Sequence, residues 1–224
     1  MTLPDQRSTT TAGARPGAPS GAGRPVRFGV HGSSHLAAGI VAAAGHRPEE
    51  VVYVPYDVRD PFAQLRSGEA DIMIVKFVLR EPDIALSAPV AHDDRAVLVG
   101  AGHTLAGRSE VSVEEVADYE AFSRPGDFPP YIWDEVVPPV TPGGRRIRRA
   151  HPLTTVEAMV ELVSGDRVVH LSVRSLDTVV PPHIRVVPVR DLPPAPVSLA
   201  WLAGTPLPPA AARLVADAER AAAR

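Results

Sequence analysis

The chain has no cysteine, one lysine, and no apolar stretch long enough to cross a bilayer. Without cysteine there are no disulfides, no thiolate catalysis and no cysteine-held metal. Every basic residue other than Lys76 is arginine, in a composition rich in Ala, Arg, Pro and Gly. That balance looks like a coding bias that pushes lysine towards arginine, so Lys76 is either chemically required or a chance survivor. A formal net charge of −3 gives no global field favouring nucleic acid or anionic lipid.

Enough apolar material remains to build a core. Hydrophobic residues make up 45% of the 224, and the mean hydropathy is near zero, so the chain is not disordered overall. Residues 1–24 are an exception, rich in Gly, Ala, Pro, Ser and Thr. They contain neither a signal-peptide apolar region nor a lipid-anchor cysteine, and read as a disordered tail. The expectation is a cytoplasmic protein with no membrane partner.

One pattern occurs twice. Ala63-Gln-Leu-Arg-Ser-Gly-Glu-Ala-Asp-Ile-Met-Ile-Val-Lys76 runs from helix formers through Ser-Gly into an apolar strand. Ala158-Met-Val-Glu-Leu-Val-Ser-Gly-Asp-Arg-Val-Val-His-Leu171 does the same. Gly68 and Gly165 are each expected to take a positive φ and stop the helix sharply. Two such units predict two α/β lobes with a cleft between them.

Finer reading gives a strand at residues 26–30, a turn with Ser33 or Ser34 as helix cap, and a helix at residues 36–44. Strands at 51–56 and 72–76 flank a helix opening near Pro61, giving a β-α-β-α-β start and a parallel sheet. Strands at 84–90 and 95–100 are expected around a polar turn, His92-Asp93-Asp94. The second half alternates less cleanly, with strands at 121–123, 146–149, 168–171, 184–189 and 197–202. Helices are expected at 131–137, 155–163 and 208–224. Pro-Pro pairs punctuate the loops.

Ala101-Gly-His-Thr-Leu-Ala-Gly107 follows an apolar strand and precedes Val111-Ser-Val-Glu-Glu-Val-Ala117. This arrangement resembles the effector-binding (substrate-binding) domain of LysR-type transcriptional regulators, where "Gly-His-Pro-Leu-Ala" precedes "Val-Ser-Leu-x-Asp-Leu-Ala". Leu65-Arg-Ser-Gly-Glu-Ala-Asp71 is similar to that family's "Leu-x-x-Gly-x-Leu-Asp". The stretch from Thr154 to Leu171 is similar to its second-lobe segment. The resemblance implies a type 2 periplasmic-binding-protein-like fold: two Rossmann-like α/β lobes with two crossover connections and a ligand in the cleft. It implies lobe I at residues 25–91 plus 203–224 and lobe II at 92–202. There are departures. The family carries a winged helix-turn-helix ahead of this domain, and the residues before Val26 show no helical periodicity to build one. Arg167 replaces the second Gly of the second-lobe core, and Ser172 replaces a Pro.

The ligand-binding candidates follow from both lines. Ser33, Ser34 and His35 sit where a strand meets a helix N-terminus, a place receptive to carboxylate or phosphate, although either serine also serves as a plain cap. Lys76 ends a parallel strand, where open α/β sheets present ligand groups. Val58 and Arg59, beside Asp57, form the loop after the second strand. Ser123 and Arg124 form its counterpart in lobe II, and Arg124 suits carboxylate recognition, though a surface role fits both arginines. Thr154 and Thr155 begin the second-lobe helix. His31 and His35 lack a third metal ligand, and no cofactor is expected. Arg145-Arg146-x-Arg148-Arg149 reads as a solvated rim and not a nucleic-acid surface.

The leading expectation is therefore a binder of a small, anionic metabolite, regulatory in role, clamped by Lys76 and Arg124. The resemblance implies a partner as well: a homodimer to which Leu36, Ile40 and Val41 would give part of the surface, although they also fit the domain core, or a full-length LysR-type regulator. The alternative is a dehydratase- or lyase-like enzyme on the same fold, using Ser33, His35, Asp57 and Lys76. A third possibility is a remnant whose cleft is filled by Phe77, Phe128 and Trp133.

Overall fold

The continuous apolar run Ile72-Met-Ile-Val75 belongs to a strand covered on both faces, and it organises the first lobe. The computed structural model describes residues 24–224, so the expected tail lies outside the described residues except for Arg24. Strands β1 (Val26–Val30), β2 (Val51–Pro55) and β3 (Ile72–Lys76) pair in parallel in the order β2-β1-β3, as the β-α-β-α-β reading requires. Helix α1 (His35–Ala43) joins the first two, and the short α2 (Ala63–Arg66) precedes β3.

Alternate residues of these strands serve two separate cores. Phe28, Ile72 and Ile74 pack in one cluster with Ala37, Ile40 and Val41 of α1. Met73 and Val75 pack with Phe62 and Leu65 on the other side. Gly29 is paired with Met73, and a Cβ at Gly29 would lie 2.7 Å from the Met73 Cβ, so only glycine fits there. Asp71 anchors the start of the sheet. Its carboxylate accepts hydrogen bonds from the Arg24 and Arg27 side chains and from the Arg27 N–H. Burial alone would raise its pKa, but these partners outweigh that and hold it well below the usual carboxylate range.

After β3 come the short strands β4 (Ile84–Leu86) and β5 (Ala91–Asp93). The His92-Asp93-Asp94 turn expected from sequence is thus partly strand. The chain then enters the second lobe with β6 (Arg95–Gly100), α3 (Val113–Val116), β7 (Glu120–Ser123) and α4 (Pro130–Val136). It continues through β8 (Arg148–Pro152), α5 (Val156–Val163), β9 (His170–Val173) and β10 (Ile184–Pro188). A capping box starts α3: the Ser112 hydroxyl accepts from the Glu114 N–H, and Glu115 accepts from the Ser112 N–H at 2.8 Å. Strand β6 is buried along its whole length and is flanked antiparallel by β10 and β9.

The chain returns to the first lobe in β11 (Ala195–Leu202) and closes with α6 (Pro209–Ala222), which packs on α1. Strand β11 lies antiparallel to β3 on one side and to β4 and β5 on the other. The sequence-based boundary at residue 202 put this strand in lobe II. Its Val197 and Leu199 complete the lobe I core, so the lobe I return begins at Ala195.

Two further expectations need correction. Gly68 has φ +74°, but Gly165 is not in the left-handed region, because α5 ends through Ser164 in the helical region. The two repeated units also differ in pairing: β3 runs parallel to β1, whereas β9 runs antiparallel to β6. Ile40 and Val41 are buried in the lobe I core, one of the two roles their sequence positions allow.

Candidate functional site

The lobes enclose a cleft of about 760 Å³. Its lobe I wall is formed by the turn after β1, the loop after β2 and the end of β3. Its lobe II wall is formed by α4, the start of α5 and β9. Most of this surface is apolar, with Leu36, Met73, Leu98, Ile132, Met159 and Leu176 among its lining. Phe77, Phe128 and Trp133 also line it, but they leave the cavity open instead of filling it.

Ser33, Val58, Arg59, Lys76 and Thr154 line the cleft; Ser34, His35, Ser123 and Arg124 do not. Ser33 plays the local role expected of a cap residue, since its Oγ accepts the His35 N–H at 3.0 Å. It also accepts a hydrogen bond from Thr178 of lobe II at 2.8 Å. Ser34 is the N-cap by position but makes no side-chain capping bond. Ser123 Oγ donates to the His151 carbonyl, which ties β7 to β8. The Arg124 guanidinium donates to the Gly126 and Phe128 carbonyls at 2.7 and 2.8 Å, stapling its own loop. It is therefore not placed as a clamp.

The two side-chain cations that line the cleft are both neutralised by carboxylates. Lys76 Nζ lies 2.9 Å from Asp93 and donates to Ser175 Oγ at 2.8 Å. Arg59 grips Asp57 through both its backbone N–H and its guanidinium. Asp57 is accordingly held below its ordinary pKa, chiefly by the Arg59 hydrogen bonds. The sequence could not expose these pairings, because Asp93 reads as part of a turn and Ser175 lies in the other lobe.

Two histidines that the sequence did not single out as ligand contacts line the cleft from opposite lobes. His31 Nδ1 is 3.2 Å from the Tyr56 carbonyl, and burial lowers its pKa. His170 is 6% exposed, and desolvation pushes its pKa down to about 4, so its imidazole is neutral near pH 7. His170 packs edge-on against Phe122 and stacks near Trp133. The suspected acid–base set is dispersed: Lys76 pairs with Asp93, Asp57 with Arg59, and His35 lies outside the cleft. Among the described residues no group of three or more His, Asp or Glu side chains is arranged to hold a metal.

The lobes meet at the cleft lip. The Asp127 N–H donates to the Arg59 carbonyl at 2.7 Å, and the Arg80 N–H to the Tyr131 hydroxyl at 2.7 Å. The basic cluster is engaged with acids: Arg145 pairs with Asp118, and Arg149 with Asp134. No helix among the described residues is long and apolar enough to cross a membrane.

Two α/β lobes crossed twice by the chain, with a ligand-sized cleft between them, define a type 2 periplasmic-binding-protein-like fold. The chain belongs to the LysR substrate binding domain family, whose pattern matches residues 23–223. Among solved structures it is similar to full-length CbnR in complex with its target DNA, at 18% identity and a TM-score of 0.68. That match covers 89% of this chain and 71% of CbnR. It is also similar to the effector-binding domain of QuiR in complex with shikimate, at 20% identity, TM-score 0.62, 88% of this chain and 95% of that one. The effector-binding domain of BenM with benzoate matches at 15% identity, TM-score 0.61, 89% of this chain and 92% of that one. Among curated proteins, none matches the chain.

Proposed function

We propose that this chain senses a small molecule by enclosing it between its lobes, and that the ligand is a ring-sized compound with a mainly apolar body. The observation that carries this is the cleft itself: about 760 Å³, walled mostly by apolar side chains, with Lys76 and Arg59 already paired to Asp93 and Asp57. An apolar ring gains by leaving water for such a surface. An anion entering it has no unpaired cation to meet, so the anionic ligand expected from the sequence gives way to an uncharged one.

A second reading keeps the anion and changes what holds it. The N-terminal ends of α1 and α5 both border the cleft, at Ser33 and at Thr154 and Thr155. Backbone N–H groups there offer partial positive charge without a side-chain cation. Shikimate and benzoate, the compounds bound by the QuiR and BenM domains, are small ring acids. In either reading the role is regulatory, exerted through a second copy of this chain or through a full-length regulator.

A thermal-shift panel of matched ring compounds, neutral and carboxylated, tests this against Thr154→Trp, which obstructs the cleft. A stabilising shift from neutral rings that vanishes in the variant supports the first reading. A shift from the acids alone supports the second. Equal shifts in both proteins remove the cleft from the function.

A further inference from the structure

The cleft has room for more than one ring. An apolar cavity of roughly 150 Å³ is enough to hold a benzene molecule. This one is about 760 Å³. Closing the lobes further does not remove the difference, because they already touch at several points. Thr178 donates to Ser33 at 2.8 Å, the Asp127 N–H to the Arg59 carbonyl at 2.7 Å, and the Arg80 N–H to the Tyr131 hydroxyl at 2.7 Å. A single ring would leave most of the volume to water against apolar walls and forfeit the contacts that make enclosure favourable.

The rim points the same way. Of the six large apolar side chains exposed among the described residues, Val156 at 60% and Val179 at 47% line the cleft, and Val52, Val78, Val140 and Leu162 do not. Val156 is the first residue of α5, and Val179 follows a short 3-10 helix, Arg174–Thr178. Isolated exposed valines are ordinary. These two extend out to solvent an apolar wall that already includes the part-buried Leu153, Val160 and Leu176. A ligand confined to the interior leaves both wet, whereas one that reaches the rim covers them.

We propose that the effector is an uncharged compound of about three fused rings, which spans the cleft from its interior to the rim at Val156 and Val179. The proposal rests on the reading of the cleft as the effector site and enlarges the ligand's apolar body from one ring to several. Part-exposed aromatic side chains line both walls, Tyr56 from lobe I and Phe128 from lobe II. Flat rings gain from aromatic neighbours beyond the area they bury. A rigid fused body also loses little conformational freedom when it is enclosed, whereas a flexible chain of equal area loses much. Val156 and Val179 then set the size preference, because only a ligand long enough to reach them takes their side chains out of water.

The test is equilibrium dialysis of the whole chain against benzyl alcohol, 2-naphthalenemethanol and 9-anthracenemethanol, with 1-decanol as a flexible probe. It is repeated on Val156→Ser, Val179→Ser and Thr154→Trp. The two valines are exposed, so replacing them leaves folding nearly unchanged. The expected result is an affinity that rises about tenfold with each added ring. The three-ring alcohol weakens about threefold to tenfold in each rim variant, while benzyl alcohol is unaffected. Three results overturn the proposal: affinity that levels off at one ring, rim variants that weaken no probe or all alike, and tighter binding of 1-decanol than of the three-ring alcohol. Each leaves the cleft reading standing, provided Thr154→Trp abolishes binding. Absence of binding by every probe, or binding that Thr154→Trp leaves intact, overturns both.

Discussion

The only lysine of the chain, Lys76, is ion-paired with Asp93 at 2.9 Å and hydrogen-bonded to Ser175 across the lobe boundary. The Asp93 carboxylate also accepts the Ser175 N–H at 3.0 Å, so three residues from β3, β5 and the segment after β9 close one network. Asp93 is 5% exposed, and Lys76 is its ion-pair partner among the described residues, with the buried Arg95 guanidinium a more distant positive charge. Lys76→Met is expected to lower stability by about 1–3 kcal/mol by stranding that carboxylate, and Lys76→Met/Asp93→Asn to recover part of the loss. Chemical denaturation of the set checks this. A ligand clamp gives the opposite pattern: unchanged stability and lost affinity for acids.

Gly126 governs how closely the lobes meet. Its φ is +41°, and a Cβ built there lies 2.8 Å from both the Arg59 Cβ and the Arg59 carbonyl oxygen. Gly126→Ala therefore collides with the backbone of the opposite lip and adds about 1–2 kcal/mol of left-handed strain. The expected outcome is a more open pair of lobes, seen as a larger radius of gyration in small-angle scattering and weaker ligand binding. The glycines without such neighbours, Gly39 and Gly107, are the controls.

The first lobe was legible because local chemistry dictates it. The run from Ile72 to Val75 admits only a strand buried on two faces, and Ser-Gly before it stops the helix. The boundary at β11 was not legible, because nothing local says that Val197 pairs with Lys76 instead of with its neighbours in lobe II. The site was harder still. Lys76 and Arg124 have the right chemistry for an anion, but their partners, Asp93 and the Gly126 and Phe128 carbonyls, are visible only in three dimensions. Trp133 was expected at the cleft only as a side chain filling it, and its approach to His170 depends on β9 and α4 packing together in three dimensions.

His170 gives the fold a pH dependence of definite sign. Its folded pKa, about 4, lies below that of an unfolded histidine, about 6.5, so the folded state resists a proton that the unfolded state takes. Its contribution is whole above the unfolded pKa and erodes as pH falls towards the folded one. Between pH 7.5 and 5 the loss is about 2 kcal/mol, with His31 adding to it in the same direction. The carboxylates held low, such as Asp71, act at lower pH. Urea titrations across this range are expected to show a flatter profile in His170→Phe than in wild type.

The most direct measurement uses the two indoles of the chain, Trp133 and Trp201. Trp133 lines the cleft and Trp201 does not, so their N–H signals in a nitrogen–proton correlation spectrum report separately on site and background. Trp133→Phe assigns the two peaks. Titration with a ring compound that stabilises the protein is expected to shift the Trp133 peak strongly and leave that of Trp201 in place. A ligand that stabilises the protein without moving the Trp133 signal contradicts recognition in this cleft.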